Sequence, residues 1–184
     1  ALPTDVRDSG QVEALADAGL PPGVLNFVTG SASVIGDPLL SDSRVVAISF
    51  TGSNETGASL RRMAAERGAK LQLELGGKNP MIILDDVDPA RAAEIAVRAC
   101  FDNAGQLCVG IERIYVLAGA YDAFMDRFLA RIGGLRMHAS VGWGTDYGSL
   151  ISAEQLARTI AVVDDAVAKG ATVITGGKPL PEIG

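Results

Sequence analysis

The feature that most restricts this chain is an alternation of short, often β-branched apolar runs with longer amphipathic segments. The runs fall at residues 24–28, 45–50, 71–75, 81–84, 114–117 and 171–174, each bounded by Gly, Pro or Asp. Their brevity and composition predict strands. Between them, Tyr121, Phe124, Met125, Phe128, Leu129 and Ile132 recur at helical spacing. Leu156, Ile160, Val163 and Val167 do the same in a second helix that Gly170 ends. Asp88-Pro89 predicts a cap and first-turn proline for a helix carrying Ile95, Val97, Ala99 and Phe101, and Ser53 caps one ending at Gly68. Strands alternating with helices predict an α/β fold around parallel sheets, with a boundary near residues 75–78.

Composition narrows the function. The 184 residues are 48% hydrophobic and 21% charged, as in a water-soluble globular protein. A net charge of −6 argues against a nucleic-acid partner, which needs a basic face. No apolar run reaches the roughly 20 residues of a membrane span, and Ala1-Leu2-Pro3-Thr4-Asp5 does not read as a signal peptide. Cys100 and Cys108 make no disulfide framework, which predicts a reducing cytoplasm. His138 is the single histidine, so no metal site is expected. His138 and Trp143 read as ordinary surface or core residues.

Three stretches could carry chemistry. In Phe50-Thr51-Gly52-Ser53 a strand ends, a glycine turn follows and a hydroxyl residue opens a helix. Backbone N–H groups there suit an anion, although an ordinary serine cap explains the same residues. Gly30 to Gly36 repeats this strand–turn–helix logic more weakly. In Glu74-Leu75-Gly76-Gly77-Lys78-Asn79-Pro80 a carboxylate sits inside an apolar run. Burial there would raise its pKa towards general-base use; pairing with Lys78 or an arginine is the plainer alternative. In Asn103-Ala104-Gly105-Gln106-Leu107-Cys108 a cysteine follows a helix and a glycine loop. It reads either as a nucleophile or as a small buried hydrophobe, and Cys100 fits the second description better.

Together and in order, the three stretches resemble the aldehyde dehydrogenase superfamily, and so does the 34-residue step from Glu74 to Cys108. Ala18-Gly19-Leu20-Pro21-Pro22-Gly23-Val24-Leu25-Asn26 and Gly148-Ser149-Leu150-Ile151-Ser152 add to the likeness. The resemblance implies Rossmann-like open sheets with flanking helices. Residues 1–75 would be the C-terminal part of an NAD(P)-binding domain, and 76–184 the N-terminal part of a catalytic domain. It implies NAD or NADP as cofactor and a small aldehyde as substrate. Cys108 would attack the aldehyde, hydride would pass to the nicotinamide, and Glu74 would activate the water that hydrolyses the thioester. The N–H of Cys108 would form half of an oxyanion hole. Gly52 and Ser53 would hold the pyrophosphate, with Gly36, Phe50, Leu75 and Gly76 lining the rest of the cofactor site.

The sequence departs from the family pattern at Ala32, at Ala104 and at Ser149, where glycine, glutamine and proline are usual. Three further family elements are absent: the oxyanion-hole asparagine, the ribose-binding lysine and a later Glu-x-Phe-Gly-Pro segment. Their absence predicts a piece of a longer enzyme, homo-oligomeric when whole, inactive alone and exposing apolar surface. Residues 71–86 and 104–116 are most similar to bacterial succinate-semialdehyde dehydrogenases. Retaining Glu74 fits release of a free acid. A non-catalytic binding or assembly module built on the same fold is the competing expectation.

Overall fold

The computed structural model describes residues 17–21, 23–26, 28–138 and 144–180. Trp143, Phe27 and the chain's first and last residues lie outside them. Two compact units, Ala1–Leu75 and Gly76–Gly184, divide the chain.

In the first unit, a π-helical turn at Ala32–Gly36 leads into a short helix, α1 (Asp37–Ser41). Strand β1 (Ala47–Gly52) runs through helix α2 (Asn54–Arg67) into the parallel strand β2 (Lys70–Leu75). This strand–helix–strand order is the usual way to join parallel neighbours, which a tight hairpin cannot do. Ser53 caps α2 by accepting a hydrogen bond from the Thr56 N–H at 3.1 Å. Gly68, at φ 67°, ends it in the left-handed conformation, where glycine carries no Cβ penalty. Leu60 and Ala64 are buried on the helix, and buried Gly57 lets it close on the sheet. A Cβ at Gly57 would stand 2.7 Å from the Leu75 methyls. Arg67 reaches back to donate to the carbonyls of Asp42 and Val45, tying the end of α2 to the entry of β1.

The second unit repeats this order. Strand β3 (Asn79–Ile83), helix α3 (Pro89–Phe101) and strand β4 (Ile111–Val116) form a second parallel pair, followed by α4 (Ala118–Gly133) and α5 (Ala153–Ala168). Asp88 caps α3 through the Ala90 N–H, with Pro89 at its first position. Small side chains at Ala92, Ala93 and Ala96 let α4 press closely against α3, and Phe124 fills the space against Ile83 and Ala120. Phe124 is 1% exposed, and its ring lies 5.2 Å from that of Phe128. Phe124→Ala is therefore expected to cost about 3–5 kcal/mol in a urea unfolding titration of the full-length protein. A loss below about 1 kcal/mol would mean that the site collapses around the missing ring.

The α/β expectation holds, with four of the six predicted strands present. Residues 23–25 form a turn and a bend, and 26, 28 and 171–174 are irregular. Neither stretch has a strand partner among the described residues, and a strand is stable only when its backbone groups are paired. The buried face of α3 is Ala92, Ala93, Ala96 and Val97, whereas Ile95 is exposed. Positions 95, 97, 99 and 101 alternate at a strand's period and cannot share one face of a helix.

Helix α5 forms as predicted, capped by Ser152, but none of its residues is buried. Helix α2 packs on the first sheet and α3 and α4 on one face of the second, where Ile82 and Tyr115 stand exposed on the other. Parallel sheets ordinarily have both faces covered, so the expected apolar surface is present, extending to Val162 on α5.

Candidate active site

The register of the first sheet gathers most of the candidate residues at one end. Thr51 pairs with Glu74 and Gly52 with Leu75, so both strands finish together. Phe50, Gly52, Ser53, Glu74 and Leu75 thus share the C-terminal edge, where parallel sheets characteristically bind ligands. The Phe50 ring folds across Gly52, where a Cβ would stand 2.4 Å from it. Ser53 begins α2, a 14-residue helix whose first turn presents backbone N–H groups. A glycine lying under the Phe50 ring and a capped helix start fit a dinucleotide's phosphates, although the Glu55 carboxylate in that turn opposes an anion. Gly36 lies in the π-helical turn, on neither strand, with open space where a Cβ would be.

Glu74 is exposed. The expected buried carboxylate is not observed, because β2 alternates strictly: Leu71, Leu73 and Leu75 turn inward while Lys70, Gln72 and Glu74 turn out. Within the second unit, Lys78 forms an ion pair with Glu112.

Cys108 belongs to the other unit. Its approach is a 3₁₀ turn, Asp102–Gly105, with an unusual backbone. Asn103 and Ala104 both have positive φ, at 53° and 55°, and Gly105 follows at 74°. Left-handed conformers of non-glycine residues cost roughly 1–2 kcal/mol each. They persist where surrounding contacts hold them, and such outliers gather at functional sites. Here Asn103 Nδ2 donates to the Gln106 carbonyl and Gln106 Nε2 donates back to the Asn103 carbonyl, each at 3.1 Å. Gln106 Oε1 also accepts the Ile151 N–H at 2.8 Å, anchoring the turn to a segment more than 40 residues away.

The next turn carries the thiol. The Gly110 N–H bonds the Leu107 carbonyl at 3.0 Å, leaving Cys108 exposed at the bend. Asn79 Nδ2 donates to the Cys108 carbonyl at 2.8 Å and to the Gly110 carbonyl at 3.0 Å. Arg113 holds the Lys78 carbonyl with Nε at 3.1 Å and Nη2 at 2.6 Å. Reasoning from sequence singled out neither Asn79 nor Gln106. The one signal, for Asn79, was a residue with poor strand propensity beginning a strand two positions after Gly76-Gly77.

The two cysteines differ as expected. Cys100 is half-buried, and burial pushes its thiol above the ordinary range. Iodoacetamide near neutral pH is expected to modify Cys108 faster than Cys100, read by peptide mass spectrometry. Equal, slow modification of both would count against an accessible nucleophile. Elsewhere in the unit, Arg136 holds Asp146 in a bidentate pair that lowers the carboxyl pKa to about 2. Among the described residues, no cluster of His, Cys, Asp or Glu could hold a metal, and no helix is long and apolar enough to cross a membrane.

Comparison with known proteins is consistent across methods. A succinate-semialdehyde dehydrogenase (NADP+), so named provisionally in Mycolicibacterium smegmatis, is 44% identical over 94% of this chain and 33% of its own length. The glutarate-semialdehyde dehydrogenase of Pseudomonas putida is 43% identical over 91% of this chain and 35% of its own. The chain thus spans about a third of these curated relatives. The crystal structure of an E. coli NADP-dependent enzyme superposes with a TM-score of 0.89 at 40% identity, covering 94% of this chain and 36% of that one. Betaine aldehyde dehydrogenase of Staphylococcus aureus, in complex with NAD+, superposes at 0.88 and 34% identity, covering 94% of this chain and 35% of that one. Residues 10–184 match the aldehyde dehydrogenase family. On that match and those identities, the chain belongs to the aldehyde dehydrogenase family.

Proposed function

We propose that the protein to which this chain belongs oxidises an aldehyde to a carboxylic acid, with Cys108 as nucleophile and Glu74 as general base. The observation that carries this reading is the exposed thiol of Cys108 on a turn that Asn79 holds, directly after a left-handed turn that Gln106 anchors. A structural cysteine has no need of such exposure or of the strained backbone before it.

Sγ loses its proton and adds to the aldehyde carbon, making a C–S bond and an oxyanion that the Cys108 N–H stabilises. The adduct is two electrons more reduced than a thioester, and that oxidation is the chemistry a nicotinamide dinucleotide supplies when bound. Glu74 then takes a proton from water as its oxygen attacks the thioester carbonyl. The C–S bond breaks, the acid leaves and Sγ is restored.

Gly52 and Ser53 would hold the dinucleotide's phosphates, with Gly36, Phe50, Leu75 and Gly76 around it. Residues 1–75 would belong to a dinucleotide-binding domain and 76–184 to a catalytic domain. NADP is the cofactor that the semialdehyde relative's name supports, and NAD that of the betaine aldehyde enzyme. Two cysteines that make no disulfide framework in the sequence support a reducing cytoplasm, and the family resemblance supports a homo-oligomer of the whole protein.

The names of the sequence relatives support a short semialdehyde with a distal carboxylate as substrate. The test is NADH and NADPH formation by the full-length gene product with succinic semialdehyde, glutaric semialdehyde and betaine aldehyde. The semialdehydes are expected to show the highest kcat/KM. No turnover of any aldehyde by folded protein would favour a non-catalytic module.

A further inference from the structure

We propose that Asn79 is a positioning residue for the nucleophile, fixing the backbone of Cys108 from the neighbouring strand. The proposal rests on the reading of Cys108 as nucleophile. A primary amide has two N–H donors on one nitrogen. In Asn79 both are used on carbonyls of one turn, those of Cys108 and Gly110. The acceptors are backbone oxygens two residues apart, so the contact sets the orientation of the turn and not merely its proximity. The Gly110 N–H to Leu107 carbonyl bond closes the same turn from within. Two constraints therefore meet on the four residues that carry the thiol.

The surroundings are shaped to hold the amide. Asn79 opens β3 opposite Ile111, and the register slips between Asn79 and Pro80. Gly77 leaves room beside it: a Cβ there would stand 3.0 Å from Asn79 Oδ1. The Arg113 grip on the Lys78 carbonyl fixes the backbone just before it. Reacting groups must be held close to attack geometry, and a misplacement of about 1 Å can cost on the order of 100-fold in rate. Cys108 is exposed among the described residues, and the two hydrogen bonds from Asn79 are what fixes its backbone there.

The test uses the full-length gene product and the variants Asn79→Ala, Asn79→Asp, Gly77→Ala and Cys108→Ala. Asn79→Ala is expected to lower kcat about 10- to 100-fold while leaving the KM for the dinucleotide unchanged. Asn79→Asp turns a donor into an anionic acceptor facing two carbonyls. It is expected to lose at least as much activity. Its negative charge should also move the pH profile of Cys108 alkylation upward relative to Asn79→Ala. Gly77→Ala keeps the amide but crowds it, and should give a smaller loss in kcat. It reads the same contact should Asn79→Ala fail to fold.

Wild-type kcat and wild-type alkylation profiles in the folded variants would overturn the proposal. So would losses that follow the melting temperature alone, with no change in the alkylation profile. Cys108→Ala separates the two levels. If it stays active, the nucleophile reading itself falls. If it is inactive while the Asn79 variants behave as wild type, only the positioning role falls.

Discussion

Cys108→Ala in the full-length gene product is expected to lower kcat for aldehyde oxidation by about 10⁴-fold or more. The size follows from the role. Without Sγ there is no covalent adduct, and water or a neighbouring group would have to attack the carbonyl unaided. Folding should be almost unaffected, because the side chain is exposed and exposed substitutions typically change stability by no more than about 0.5 kcal/mol. Dinucleotide affinity, followed by fluorescence titration, should also remain, since the proposed phosphate contacts lie at Gly52 and Ser53. A loss of only about tenfold would return Cys108 to the status of an ordinary surface thiol.

Glu74→Gln should act on a different step. The amide preserves shape and removes the base, so steady-state turnover is expected to fall by about 10²- to 10⁴-fold. The first turnover should survive: a burst of NADH or NADPH close to one per active site, then slow release. Glu74 is exposed on the outward face of β2, so the substitution should leave the melting temperature unchanged. A burst lost together with the steady state would instead give Glu74 a part in forming the adduct, for example in deprotonating Cys108.

How much of this was legible in the sequence depended on the range of the interaction. Local signals transferred well. Ser53, Asp88 and Gly68 begin or end helices where their side chains or lack of one said they would, because caps depend on two or three neighbouring residues. The Tyr121–Ile132 stripe buries Phe124 as its periodicity required. Partner-dependent features transferred poorly. The runs at 24–28 and 171–174 have strand composition, but among the described residues nothing pairs with 24–26, 28 or 171–174. Glu74 looked buried because it is flanked by leucines, yet strand alternation turns it outward. Helix α3 was found for the right reason, its cap, while the close packing of its alanines against α4 depends on a partner helix and left no local signal.

The candidate site divides in the same way. The sheet edge at Gly52, Ser53 and Glu74 follows from where apolar runs stop, and Cys108 from its setting after a glycine loop. The grip of Asn79 on Cys108 spans 29 residues and that of Gln106 on Ile151 spans 45, distances over which composition carries no signal. The left-handed run was equally hidden, since Ala104 has no intrinsic preference for the backbone it adopts.

The most direct test of the central claim is mass spectrometry of the full-length Glu74→Gln protein, quenched in acid during turnover of succinic semialdehyde with NADP. The account predicts a peptide containing Cys108 that carries the acyl group as a thioester, absent without the dinucleotide and removed by hydroxylamine. A fully turned-over reaction with an unmodified Cys108 peptide at every time point, or an acyl group on Cys100 instead, would contradict it.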